Sequence, residues 1–258
     1  MSGSLKDLLR TQPHHQILRE YSGLELYFLP EISAYLKIGE IRKNSHLGWE
    51  RKVLEWLSGK ISVPGILDFE VLDEREYLLI SEIRGQTYSE RLAASNETDD
   101  LESLVELVAT QIRGIHDLGI ENCNLDQRLT EKIKKAEENI RGGFVDESDF
   151  DEENLGKTAG QVFDELLSSL PHTEDLVFTH GDLCLPNIII NEGDVAGFID
   201  FDRGGVADRY QDIALFLRSF RFNSSKYLDI TSAFCRGYGI SDLDEDKIDF
   251  YRKLDELF

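Results

Sequence analysis

The sequence predicts an α+β chain folded as two lobes, a small β-rich N-terminal lobe and a larger, mainly helical C-terminal lobe. Three observations carry that expectation. Residues 16–83 break into short apolar runs separated by polar turns, as strands do. Beyond Arg84-Gly85 the apolar residues recur at helical spacing instead. A short β-hairpin flanked by polar residues then interrupts the helices between 177 and 200. The boundary is placed at 83/84, dividing residues 1–83 from 84–258.

In chain order, 24–29 and 34–38 read as strands joined by Pro30-Glu31-Ile32-Ser33. Residues 47–57 read as a helix through Leu47, Val53, Leu54 and Leu57. Val63-Pro64-Gly65 breaks that pattern, and strands 66–72 and 77–83 follow around the polar turn Asp73-Glu74-Arg75-Glu76. Residues 101–118 carry Leu101, Leu104, Val105, Val108, Ile112 and Ile115 at helical spacing until Gly119 stops the run. His116 on that helix reads as a packed structural histidine. A charged helix is expected over 125–141, an acidic loop over 142–156 and a helix over 162–170. The hairpin comprises strands 188–191 and 195–201 around Glu192-Gly193-Asp194. Helices over 211–222, 225–237 and 245–258 complete the chain. No internal repeat or low-complexity tract is visible.

The hairpin segment, VFTHGDLCLPNIIINEGDVAGFID, carries the chemistry. Asn187 follows Asp182 by five residues, and Asp200 ends the returning strand. That return brings Asp200 back beside Asn187, so two hard oxygen ligands can face one metal ion. The D-x-x-x-x-N spacing is the one described for protein kinases, where an Asp meets the attacking hydroxyl and an Asn and a second Asp hold Mg²⁺. Each residue alone would read as an ordinary polar loop position. Their fixed placement around one buried hairpin implies phosphoryl transfer.

Composition narrows the setting. Of 258 residues 41% are hydrophobic, enough for a packed core. No apolar run reaches the ~20 residues that span a bilayer, and the N-terminal stretch holds no apolar segment long enough for a signal peptide. Cys123, Cys184 and Cys235 are scattered and odd in number, which reads as reduced thiols in the cytoplasm. The net charge of −22, from 50 acidic and 28 basic residues, opposes partnership with nucleic acid or anionic membranes. It serves solubility and also suits a small polycationic substrate.

These motifs resemble the aminoglycoside phosphotransferases, closest to the 3′-phosphotransferases. The likeness runs over nearly the whole chain. It is strongest in LVFTHGDLCLPN, in GFIDFDRGGVADRYQDIALFLRSF and in the terminal LDELF. H-G-D-x-x-x-x-N with a following F-I-D is shared by many small-molecule kinases. The G-x-A-D-x-x-x-D-I-A run through Gly205, Ala207, Asp208, Asp212, Ile213 and Ala214, with the terminal D-E-L-F, narrows the likeness to the antibiotic kinases. The resemblance implies a bilobal protein-kinase-like fold with a five-stranded N-lobe, and ATP or GTP bound with Mg²⁺ in the cleft. It implies transfer of the γ-phosphate to the 3′-hydroxyl of an aminoglycoside antibiotic, with resistance as the outcome. The alternative is a kinase for another small amine or alcohol of the macrolide, choline or homoserine type. The residues do not choose between ATP and GTP, and they leave the drug spectrum and the oligomeric state open.

Residue by residue, the resemblance makes Asp182 the catalytic carboxylate and Asn187 and Asp200 the Mg²⁺ ligands. Lys37 would contact the α- and β-phosphates with Glu50 as its ion-pair partner. From pattern alone they are a strand-end charge and a helix-face acid. Tyr35 would stack on the base, Ser81 and Ile83 would offer backbone groups to its edge, and Ile199 would pack beneath it. All four also fit as core or strand residues. No G-x-G-x-x-G is present, and Ser22 in Tyr21-Ser22-Gly23-Leu24 is the nearest match to a phosphate-covering loop. For the polycationic acceptor the resemblance points to Asp149, Asp151, Glu152 and Glu153, to Asp255 and Glu256, and to the terminal carboxylate of Phe258. A solvated acidic loop is the plainer reading of the first four. Arg203 and Arg218 match arginines near the family's active site and count among its substrate-binding residues, with Arg203 suited to orient Asp182 or to sit near substrate. Arg221-Phe222-Asn223 stands where relatives carry acids, so part of the drug contact set differs.

Overall fold

The computed structural model describes residues 4–17, 24–41, 46–94, 99–223 and 230–258. Ser22 and residues 225–229 of the expected helix 225–237 lie outside them.

The N-terminal part is an antiparallel five-stranded sheet in the order β1-β2-β3-β5-β4, formed by His15–Ile17, Glu25–Leu29, Ala34–Glu40, Arg75–Ser81 and Ile66–Leu72 respectively. Alternation along the strands divides the two faces. Leu36, Ile38, Tyr77 and Leu79 face α1 (Leu5–Thr11), packing with Leu5. Leu78 and Ile80 join α2 (Leu47–Leu57) in the central core. Lys37 and Tyr35 alternate with Leu36 and Ile38 along β3, so they belong to the α2 side.

The α2 bounds agree with the sequence expectation; β1 and α1 were not foreseen. All three β1 residues are exposed, which leaves no alternation to read. The strand expected at 77–83 is shifted to Arg75–Ser81. Asp73 and Glu74 alone make the turn, with φ of 51° and 60°. Two consecutive left-handed residues match the strand twist of a tight hairpin, and the absence of glycine hid it.

The chain then enters β6 (Gln86–Thr87) through Gly85. There φ is +152° and an added Cβ would lie 2.4 Å from the Ile190 carbonyl oxygen. Next come α3 (Tyr88–Ala94), α4 (Asp99–His116), α5 (Leu129–Gly142) and α6 (Ala159–Ser168). Strands β7 (Leu176–Thr179), β8 (Ile188–Asn191), β9 (Asp194–Phe198) and β10 (Gly205–Asp208) follow. The chain ends in α7 (Tyr210–Asn223), α8 (Thr231–Tyr238) and α9 (Glu245–Asp255).

Several boundaries moved for local reasons. Residues 125–128 are not helical, because Asp126 bridges Val206 of β10. Helix α6 starts earlier than expected, at a capping box between Thr158 and Gln161. Strand β9 ends at Phe198 rather than 201, and β10, read only as a motif, pairs antiparallel with β7. The expected helix 245–258 ends at Asp255, releasing the last three residues from the helix. The loop expected at 142–156 runs instead over 143–158, because α5 extends through Gly142 and α6 begins at Ala159.

Two cores hold these elements. The larger joins α2, α4, α7 and α8 to the hairpin, with Trp56 of α2 stacked 4.4 Å from Phe178 of β7. The smaller joins α5, α6 and α9. The first seats the catalytic loop, and the second seats the C-terminus.

Candidate active site

Strand β7 runs into His180-Gly181-Asp182, and all three backbone N–H groups of this turn are bonded. Gly181 has φ +87°, and an added Cβ would stand 2.0 Å from the Arg203 carbonyl oxygen, so no side chain fits. Asp212, at the start of α7, accepts from the N–H of His180 at 2.7 Å and of Gly181 at 2.8 Å. It also pairs with His116 Nε2 at 3.1 Å, and His116 Nδ1 lies 2.6 Å from the Tyr238 hydroxyl. Burial works to raise the Asp212 carboxyl, but the bonds from His116 and the loop hold it below its ordinary value. His116 is thus the structural histidine expected. The His180 ring sits between the Ile199 carbonyl, 2.8 Å from Nε2, and the Asp182 N–H, 3.3 Å from Nδ1. Nε2 therefore donates and Nδ1 accepts, which is the neutral ring.

Asp182 keeps 32% of its side chain exposed at the end of this turn. Asn187 donates from Nδ2 to the Asp182 carbonyl at 2.9 Å and to its Oδ2 at 3.1 Å. Both bonds use the amide nitrogen, which leaves Oδ1 outside them. Ile199 N–H bonds the Asn187 carbonyl at 3.0 Å, so the returning strand delivers Asp200 beside Asn187 as expected. Asp200 adopts φ +64°, unusual for a residue with a side chain.

Lys37 ties the sheet to this hairpin. Its Nζ lies 2.6 and 2.8 Å from the two Glu50 oxygens and also bonds Asp200. Lys37 and Glu50 are both buried, which replaces the reading of two solvated surface charges. Burial opposes the ammonium, but Asp200 and Glu50 outweigh it and raise the Lys37 pKa. Asp202 stands close by; burial and the charges of Asp182 and Asp200 push it up to about 6 against the pull of Lys37 and Arg203.

The residues expected around a base divide. Tyr35 is half-buried on β3 with its ring 4.9 Å from Phe28. Ile199 is half-buried between Phe198 and Asp200. At Ser81 one backbone group is excluded. Its N–H donates to the Gly65 carbonyl at 2.8 Å, so that group is already taken. Ile83 lies beyond the end of β5 with its side chain half-buried.

On the other side of Asp182, Arg203 Nη1 lies 3.9 Å from Asp182 Oδ1, in place to orient it. Arg203 and Arg218 both bond Asp255. This corrects the expectation that Asp255 is open to substrate. It is buried, and both carboxylate oxygens are taken, because the last turn of α9 faces α7. Arg203 also lies 4.9 Å from the centre of the Phe258 ring. Glu256 accepts from Asn154 Nδ2 at 2.9 Å through one oxygen, while its buried Oε2 finds no donor. Asp151 Oδ2 is likewise buried without a hydrogen bond, 3.5 Å from Arg252. Burial first, and the Asp151 charge in addition, raise the Glu256 pKa although the Asn154 bond opposes them. Glu153 is exposed and 3.6 Å from Arg252, and Asp149 and Glu152 are exposed, as a solvated loop would have them.

Sequence reasoning missed Asp212, Gln211 and Trp49 as builders of the site. Gln211 Nε2 bonds the Gly181 carbonyl at 3.1 Å, and Trp49 Nε1 bonds the Gly204 carbonyl at 2.9 Å. A signal for Asp212 existed in the D-I-A motif, but its role depends on a loop thirty residues away in the chain.

Comparison with known proteins accords with this geometry. The model of the phosphotransferase enzyme family matches residues 28–251. An aminoglycoside 3′-phosphotransferase of Niallia circulans is 39% identical, covering 92% of this chain and 90% of the relative. One of Streptomyces fradiae is 35% identical over 97% of this chain and 98% of its own. Among solved structures, aminoglycoside phosphotransferase APH(3'')-Id of Streptomyces rimosus superposes with a TM-score of 0.87 at 29% identity, covering 98% of this chain and 96% of its own. The same enzyme in complex with ADP and streptomycin gives a TM-score of 0.84 at 30% identity, covering 98% of this chain and 96% of its own. The chain belongs to the phosphotransferase enzyme family, among aminoglycoside phosphotransferases of protein-kinase-like fold.

Proposed function

We propose, from that membership, that the protein transfers the γ-phosphate of ATP or GTP to the 3′-hydroxyl of an aminoglycoside and so confers resistance. The observation that carries the chemistry is the convergence of Lys37, Asn187 and Asp200 beside an exposed, oriented Asp182. Asp182 holds the acceptor hydroxyl in line. A bond forms from that oxygen to the γ-phosphorus while the bond to the β-phosphate oxygen breaks. The hydroxyl proton passes to Asp182, and the nucleoside diphosphate leaves. Placement dominates if the transition state is loose.

Lys37, fixed by Glu50, holds the α- and β-phosphates. Tyr35, Ile83 and Ile199 line the base site between lobes divided at 83/84, and Ser22 is assigned to the phosphates on the resemblance alone. Among the described residues no three His, Cys, Asp or Glu cluster as a metal cage. Asn187 Oδ1 and the Asp200 carboxylate fit Mg²⁺ instead, which takes one or two protein ligands and completes its shell with phosphates and water. When bound, the ion would neutralise charge on the transferred group.

The acceptor is read as a polycation. Asp151 and Glu256 each hold a buried oxygen without a hydrogen bond, that of Asp151 facing the Arg252 guanidinium at 3.5 Å, and an ammonium supplies donors. The terminal carboxylate of Phe258 joins them, while Arg203 and Arg218 place Asp255 and hence the last turn. No described helix is long and apolar enough to cross a membrane, and a cytoplasmic setting fits the use of ATP. Phosphorylation adds negative charge to a drug that needs its positive charge to bind ribosomal RNA.

The test is a coupled ATP and GTP assay against kanamycin, streptomycin, a macrolide and choline, with product NMR. Turnover of kanamycin with phosphate on the 3′-oxygen is expected. Phosphate on a 3″-oxygen would move the chain toward the Streptomyces rimosus enzyme. Turnover of choline or a macrolide alone would overturn the polycation reading.

A further inference from the structure

We propose that Lys132 is a positioning residue for the acceptor: from beside the Phe258 ring its amine sets where the C-terminal residue and its carboxylate stand, and a charge on that amine loosens the hold on a polycation. This inference rests on the acceptor reading above.

Helix α5 turns Leu129, Lys132, Ala136 and Asn139 inward along one face. Lys132 is 2% exposed, and lysine is almost never so buried unless paired. Among the described residues it has no ion-pair partner; its Nζ lies 5.6 Å from the centre of the Phe258 ring. Two turns on, Asn139 Nδ2 donates to the Leu257 carbonyl at 2.9 Å. Helix α5 therefore holds both of the last two residues. The ring beside Lys132 is also the ring beside Arg203, whose guanidinium stands 3.9 Å from Asp182.

The charged groups that act on Lys132 come from four elements. Arg203 follows β9, Asp255 lies on α9, Asp212 on α7 and Asp182 after β7. Burial, and then Arg203, disfavour the ammonium, while the three carboxylates favour it. The result lowers Lys132 from 10.5 to about 7. Asp255 is already committed to Arg203 and Arg218, and Asp212 to His116 and two backbone N–H groups. Asp182, the third, already accepts from Asn187 at 3.1 Å and faces Arg203 at 3.9 Å, so a charged Lys132 finds no uncommitted carboxylate in the wall. It draws the terminal carboxylate of Phe258 inward and adds positive charge next to Arg203. Below neutral pH Lys132 is charged and the acceptor is held less tightly. Above it the amine is neutral and the carboxylate is released toward the acceptor.

Lys132→Met keeps the length without the charge, and Lys132→Arg keeps the charge at every pH. Calorimetry would measure kanamycin and ATP affinity at about pH 6 and about pH 8.5, on either side of the titration. Titration of the drug's own amines is common to all three proteins, so each variant is compared with wild type at the same pH. At the lower pH wild type should bind kanamycin about fivefold more weakly than Lys132→Met, the size of a modest electrostatic effect. At the higher pH the two should agree. Lys132→Arg should be weak at both, and ATP affinity should be the same in all three. A wild type to Lys132→Met ratio that does not change with pH overturns the proposal, because a purely structural wall residue would behave in that way. A second measurement needs no acceptor. With ¹³C-labelled lysine in the unliganded protein, one side-chain resonance should titrate near neutrality and vanish in Lys132→Met. Finding every lysine titrating above about pH 9 would also overturn it. Failure of the acceptor reading shows itself separately, as absence of aminoglycoside phosphorylation by wild type.

Discussion

The halves of this site proposed to face the nucleotide and the acceptor are built by opposite means. On the first, the charged side chains are anchored to regular elements by short buried bonds. Lys37 on β3 meets Glu50 on α2, and Asp212 on α7 holds the backbone under Asp182. On the second, the carboxylates come from a loop and from the chain end, and the arginines of neighbouring segments arrange them. The first half suits a reaction whose geometry must not vary.

The largest expected effect tests the rigid half. Asp182→Ala should lower kcat by about 10³-fold or more, the scale of a lost positioning group, with ATP affinity near wild type. Retention of more than about a tenth of kcat would remove Asp182 from that role.

Next in size is Asp255→Ala, which asks whether the acceptor half is held by its arginine clamp. Removing one partner of a buried ion pair leaves the others uncompensated, so a loss of about 3 kcal/mol in urea denaturation is expected. Unchanged stability with a raised drug KM would return Asp255 to the contact set for substrate.

Lys37→Ala sharpens the first half from the nucleotide side. KM for ATP should rise about tenfold, more than kcat falls, because a charge-assisted phosphate contact is lost. The reverse pattern in steady-state kinetics would make Lys37 a transition-state group instead.

The smallest effect distinguishes the halves most directly. Between low and physiological salt, drug KM should rise several-fold, since exposed attractions are screened over about 8 Å. KM for ATP should respond less. Deleting Phe258 displaces the terminal carboxylate and should raise drug KM alone. If salt and deletion both leave drug KM flat, the C-terminal acids are a solvated helix end.

Much of this was legible in the order of residues. Asp182, Asn187 and Asp200 lie within one turn and one hairpin, so local geometry brings them together. The bounds of α2 could be read because its apolar spacing and the Val63-Pro64-Gly65 break agree. The Asp73-Glu74 turn could not, because left-handed backbone there carries no glycine to announce it. Nor could the short β10, which exists only because β7 lies beside it.

The sequence by itself determined the two-lobed class, the phosphoryl-transfer motif and the surplus of negative charge. Only the tertiary structure decided that Asp255 is enclosed by Arg203 and Arg218, that Ser81 N–H is taken by Gly65, and that Lys132 lies against the last residue. The physical reason is separation along the chain. A motif is a local pattern whose geometry the backbone transmits over a few residues. Whether a charge is paired, buried or free depends on what distant segments bring to it, and alternation or spacing within one element carries no record of that.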